Sequence, residues 1–136
     1  MKVRTLSNKG FTIVELLIVI VIIGILATIG FVSFSSAQNK AKKSKAESTL
    51  SQVKSKLGEY YVDNNSYPGS SADVTSYLTG NGGASVATDF SGAGYSYSAT
   101  PSGCTTAAKD CTSFTLTAAK TIWNGGSSDS DLSVTP

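Results

Sequence analysis

The sequence contains no histidine, only two cysteines and few charges, with 11 basic and 9 acidic residues in 136. Without histidine the chain lacks the side chain used most often as a general base near neutral pH, and the commonest metal ligand. Two thiols unaided by histidine are too few for a structural zinc site. There is no glycine-rich nucleotide loop and no pair of acids at a useful spacing on a concave framework. The chain therefore does not read as an enzyme, and no cofactor is expected. Surplus positive charge is missing too. Lys2, Arg4 and Lys9 account for the net +2; without residues 1–10, eight lysines face nine acids. That balance speaks against a broadly basic nucleic-acid-binding domain.

Charge is scarcest between Phe11 and Phe34, where Glu15 is the one ionisable residue. At about 1.5 Å per residue this apolar run is long enough to cross a hydrocarbon core of about 30 Å. A carboxylate within it costs roughly 2.5–3.5 kcal/mol on insertion scales unless it is neutralised or paired. A plain anchor gains nothing from that cost, so Glu15 needs a partner. A simple secretory signal fits poorly. The run exceeds an ordinary signal core of about 7–15 residues, and no Ala-x-Ala site ends it. Lys2, Arg4 and Lys9 hold the N-terminal side in the cytoplasm. Lys40, Lys42, Lys43 and Lys45 follow the run and oppose that orientation, whereas the cysteine pair supports an exported remainder. In an oxidising compartment Cys104 and Cys111 read as a disulfide; two free thiols in a cytosolic tail are the alternative.

Lys9-Gly10-Phe11-Thr12-Ile13-Val14-Glu15-Leu16 resembles the class III signal of type IV prepilins and their secretion-system relatives. The resemblance implies cleavage between Gly10 and Phe11 by a membrane prepilin peptidase, then N-methylation of Phe11. It also implies that Glu15 meets the free N-terminal amine of a neighbouring subunit during assembly. Such a pairing selects axial register, because a misplaced acid stays buried without a partner. Gly24, Gly30 and Ala27 permit close helix packing within the apolar segment. Filaments of the family can lose helix here, which implies a melted stretch near residues 24–31. Val32 stands where many pilins carry proline.

Beyond Phe34 the pattern turns amphipathic. Ala46, Leu50, Val53, Leu57 and Tyr60 recur at helical spacing, so one helix is expected from about Phe11 to Val62. Asp63-Asn64-Asn65-Ser66-Tyr67-Pro68-Gly69 is a dense stop signal. A short helical turn is expected around Val74, Tyr77 and Leu78. Alternation marks strands over residues 94–100 and 112–118, with a third expected at Thr121-Ile122-Trp123 or Leu132-Ser133-Val134. The expected fold is α+β, a long N-terminal helix packed on a small antiparallel sheet. The expected division is a leader at 1–10, an assembly helix at 11–34, an amphipathic helix at 35–63 and a small β head at 64–136. The tyrosines and phenylalanines read as core and turn residues.

Asn64, Tyr67 and Pro68 resemble a motif of major pseudopilins, relatives that bind calcium through a C-terminal loop. Asp129 and Asp131, with Ser127, Ser128 and Ser130, offer oxygens of the kind calcium takes. Solvated Ser/Asp loops are the commoner use, and no metal site is assigned. The Lys40–Lys45 cluster reads as a solvated face, with lipid head groups or extracellular DNA as its alternative contacts. The reading favoured by these features is a major pilin, a structural subunit of a type IV pilus for motility, adhesion or DNA uptake. Its implied partners are copies of itself, the prepilin peptidase, the assembly platform with its ATPases, the membrane before assembly, and DNA or host surfaces outside. A minor pilin, a pseudopilin of a secretion filament and a lone membrane-anchored binding module are the alternatives.

Overall fold

A computed structural model of the chain describes residues 10–126 and 129–136, apart from the side chains of Val32 and Ser33. The leader cations Lys2, Arg4 and Lys9 and the loop serines Ser127 and Ser128 lie outside the described residues. The elements are helices α1 (Ile13–Asn64), α2 (Ser71–Gly80) and α3 (Ala84–Phe90), strands β1 (Tyr95–Thr100), β2 (Ser113–Ala118) and β3 (Leu132–Val134), and a 3-10 turn at Lys120–Trp123. This is the α+β architecture expected from the pattern. The chain divides into two compact units, one ending at Ala37 and the other covering Gln38–Pro136, and α1 contributes to both.

In the N-terminal unit nothing among the described residues covers the apolar helix. Its large apolar side chains stay about half exposed or more all round, from Val19 at 49% to Ile13 at 84%. A helix apolar on every face is stable only in lipid or among other helices, and this one has the length and composition to cross a membrane. Residues 24–31, where melting is expected in an assembled filament, are helical here.

In the C-terminal unit the amphipathic stripe becomes the core. Ala46, Leu50, Val53 and Leu57 of α1 are buried with Val74 and Leu78 of α2, Ala87 and Phe90 of α3, Phe114, Leu116 and Ala118 of β2, and Trp123. Lys42, Glu47 and Lys54 occupy the exposed faces of the same helix. α1 outlasts its expected end by two residues and stops where Asn65 turns left-handed at φ 54°. There the Asn65 N–H donates to the Tyr61 carbonyl at 2.7 Å, a helix-terminating bond. The strands are antiparallel in the order β1-β2-β3. Phe114, Leu116 and Ala118 face inward while Ser113, Thr115 and Thr117 alternate outward, the period of a half-covered sheet.

Two local expectations need correction, and the choice left open for the third strand is decided. The single turn around Val74 is a ten-residue helix, and a further helix of seven residues follows it. Thr121-Ile122-Trp123 is not a strand: its backbone closes a 3-10 turn ended by Asn124 at φ 53°, and the third strand is Leu132–Val134. The paired strands begin at Tyr95 and Ser113, one residue later than the alternation indicates. Because Leu57 is fully buried, Leu57→Ala is expected to destabilise this unit by about 2–5 kcal/mol. The effect appears as a lower urea midpoint at unchanged slope; an unmoved midpoint would contradict the core described here.

Candidate functional site

Two places combine polar chemistry with a defined geometry. The first is the start of α1. Gly10 and Phe11 lie exposed ahead of the helix. Thr12 Oγ1 accepts from the Glu15 N–H at 3.2 Å, and the Thr12 N–H donates back to Glu15 Oε2 at 2.9 Å. The Thr12 hydroxyl donates to the same carboxylate oxygen at 2.8 Å. This reciprocal pattern is a capping box, which satisfies helix donors that have no partner further back. It delays the first helical residue to Ile13 and gives Glu15 a partner within its own chain. Sequence periodicity assigns Thr12 no role, although Thr-x-x-Glu before an apolar run is a recognisable capping signal. Gly24, the other expected assembly position, has open space where a side chain would begin.

The second place is the loop closed by Cys104 and Cys111, which form a disulfide across a separation of 7 residues. Both cysteines are buried, while Lys109 projects from an exposed left-handed position at φ 54°. The loop has internal bonds: Asp110 Oδ1 accepts from the Thr105 N–H at 2.8 Å, and Thr105 Oγ1 accepts from the Ala108 N–H at 3.1 Å. It is also tied to the stop cluster after α1. The Cys111 carbonyl accepts from the Tyr67 N–H at 2.9 Å, and Thr106 Oγ1 accepts from the Gly69 N–H at 2.7 Å. The Thr106 hydroxyl then donates to Asp73 Oδ2 at 2.7 Å. That hydroxyl, and next the one of Ser70, hold the Asp73 carboxyl below the usual carboxylate range. Stabilisation from a depressed acid is present above its unfolded pKa and lost as pH falls through the folded value. Gly69 is required by proximity, since a Cβ there would lie 2.8 Å from the Thr106 nitrogen. Tyr97 donates from its half-buried phenol to the Pro68 carbonyl, and Tyr67 packs edge-on against Phe114. Of the Asn64, Tyr67 and Pro68 motif, Tyr67 thus seats the disulfide loop, Pro68 anchors Tyr97 of β1, and Asn64 Nδ2 donates to the Tyr60 carbonyl within α1.

The lysines expected to act as one cluster separate into two kinds. Lys45 bonds Asp89 at 2.7 Å, and Lys43 lies 4.0 Å from Asp129 and 5.8 Å from the Trp123 ring. These two act within the fold. Lys40, Lys42, Lys54 and Lys109 are exposed and form no ion pair among the described residues. The acids considered for calcium are engaged as well. Asp131 Oδ1 accepts from the Lys120 N–H at 2.8 Å, and the Asp129 carboxylate has Lys43 at 4.0 Å while its backbone carbonyl accepts from Lys120 Nζ at 3.2 Å.

Two family models match the chain. Residues 6–31 match the prokaryotic N-terminal methylation motif, which spans Gly10, Phe11 and Glu15. Residues 33–131 match the family described as type IV minor pilin ComP, DNA uptake sequence receptor. No curated protein and no solved structure matches.

Proposed function

The chain belongs to the type IV pilins, and from that premise we propose that it is a minor pilin that captures DNA for uptake. The family is one of structural proteins, made as membrane-anchored precursors that become part of an extracellular pilus. The observation that carries the finer reading is the match of residues 33–131 to a DNA-receptor family. It supports this reading over the bulk-subunit reading favoured by the small Ser/Thr/Gly-rich head. Geometry adds a means of contact. Lys109 stands on a loop held by a disulfide and by hydrogen bonds within it and to the residues that follow α1, so a cation is offered at little entropic cost. Lys40, Lys42 and Lys54 supply further cations that the fold leaves uncommitted.

The near-neutral balance of charge implies a local contact with few phosphates rather than a broad basic face. Each lysine on a phosphate releases condensed counterions, so affinity falls with salt in proportion to the number of contacts. Lys109→Ala is expected to weaken binding of the purified chain to duplex DNA about equally across sequences, and to reduce the salt slope by about one unit. Fluorescence anisotropy with labelled duplexes at several salt concentrations measures both. Binding that is absent in the unmodified chain, or that persists at high salt with a flat slope, would overturn the DNA reading. An unchanged slope in the Lys109 variant would remove that residue from the contact.

A further inference from the structure

The loop that offers Lys109 also offers an acid. Asp110 follows directly and is exposed, so the two charges at the tip cancel. In a contact made only with phosphates an acid there is a penalty, because like charges repel. Its role inside the loop does not demand a charge. Asp110 Oδ1 accepts from the Thr105 N–H at 2.8 Å, and a neutral Asn side chain accepts from such a donor equally well. Oδ2 has no hydrogen-bond or ion-pair partner among the described residues. Other acids of the same unit are engaged within it: Asp73 by Ser70 and Thr106, Asp89 by Lys45, and Glu59 by Lys56. One oxygen of Asp110 is thus fixed by the backbone, and the other is left as an open acceptor.

The loop has the dimensions to bring that oxygen to a base edge. The Cα atoms of Cys104 and Cys111 are 5.2 Å apart, well inside the roughly 12 Å width of a duplex major groove. The residues ahead of Lys109 are Ala107 and Ala108, both exposed, and no long side chain there holds the tip away from the bases. The disulfide and the bonds within the loop keep it in one shape. A base edge is read only by groups held in place, whereas a phosphate contact tolerates looseness.

We propose that Asp110 reads sequence: its open Oδ2 accepts from the exocyclic amine of a cytosine in the major groove, while Lys109 beside it holds a phosphate. This role rests on the DNA-capture reading and adds a base to it. The groove itself selects the partner. An ionised carboxylate can only accept, and cytosine presents an amine donor there. Guanine presents two acceptors, N7 and O6, and thymine presents O4 and a methyl group, so both repel it or leave it unpaired. Adenine has an amine, but its N7 acceptor lies alongside and opposes the carboxylate. The amine of cytosine offsets the penalty that the acid brings near phosphates.

Selection from a pool of duplexes with a randomised centre tests this role. Full-length chain in detergent micelles is mixed with the pool at fixed salt, and the bound duplexes are sequenced. The unmodified chain is expected to enrich cytosine roughly tenfold at one position. Asp110→Asn keeps an oxygen for the Thr105 N–H and is expected to lose that enrichment, with affinity for the starting pool equal or higher. A second measurement needs no variant. In the selected duplex, N4-methylation of that cytosine is expected to weaken binding of the unmodified chain. Inosine in place of the paired guanine leaves the cytosine amine as it was and is expected to be tolerated. Binding without cytosine enrichment, enrichment that persists in Asp110→Asn, or a tolerated N4-methyl group would each overturn the role of Asp110 and leave DNA capture standing. Failure of the unmodified chain to bind any duplex would overturn DNA capture itself, and this role with it.

Discussion

Replacing Glu15 by alanine is expected to leave the chain cut between Gly10 and Phe11, yet strand it in the membrane and remove it from sheared pili. The carboxylate opposes residence in lipid by roughly 2.5–3.5 kcal/mol, so its loss makes the membrane the more comfortable place. The same substitution deletes the acid that a neighbouring N-terminal amine is expected to meet, and with it the penalty for wrong register. The capping box refines the account. Because Glu15 is bonded to Thr12 within its own chain, the acid is not left without partners before assembly. Assembly must offer an interaction better than this local one. Mass spectrometry of membrane and pilus fractions reads the outcome: processed, N-methylated chain in the membrane and a depleted pilus fraction. An undiminished share of Glu15→Ala chain in pili would refute the role of the acid in incorporation.

Removing the disulfide is the second large effect. Cys111→Ser opens a loop with ends only 7 residues apart, for which the chain-entropy relation gives about 2.5 kcal/mol. For a unit of this size the melting temperature then falls by roughly 10 °C. The consequence reaches beyond stability. Tyr67 and Ser66 both bond the Cys111 carbonyl, and Gly69 bonds Thr106, so the loop and the stop cluster after α1 loosen together. DNA affinity is therefore expected to drop more in Cys111→Ser than in Lys109→Ala, measured well below the lowered melting temperature. Equal affinity in the unmodified and Cys111→Ser chains would show that the loop's shape does not matter to DNA.

Large-scale order was legible because it rests on periodicity. Ala46, Leu50, Val53 and Leu57 announce a buried helical stripe by spacing alone, and the Ser/Thr alternation of β1 and β2 announces a half-covered sheet. Tertiary packing decides the rest. α3 has Gly83 ahead of it with no side-chain cap, and its seven residues are held by tertiary contacts, the burial of Ala87 and Phe90 and the Lys45–Asp89 bond. Thr121-Ile122-Trp123 has strand-forming side chains, but Gly94 fits tightly against Ile122 and Asn124 turns left-handed, which fixes a 3-10 turn. At the site, the cysteine pair was readable from compartment logic. Its seat was not, because the Thr106–Asp73 and Gly69–Thr106 bonds join residues more than thirty positions apart. The capping box at Thr12 and Glu15 was present as a local signal, overshadowed by the apolar run around it.

The central claim, a minor pilin that captures DNA, is tested most directly in cells that lack only this chain. Pili are counted by electron microscopy, and entry of labelled duplex DNA is measured in the same culture. The account predicts that pili remain while DNA uptake is lost, with uptake restored by the intact chain and poorly by its Lys109→Ala form. Disappearance of the pili together with the chain, or uptake that continues without it, would contradict the account.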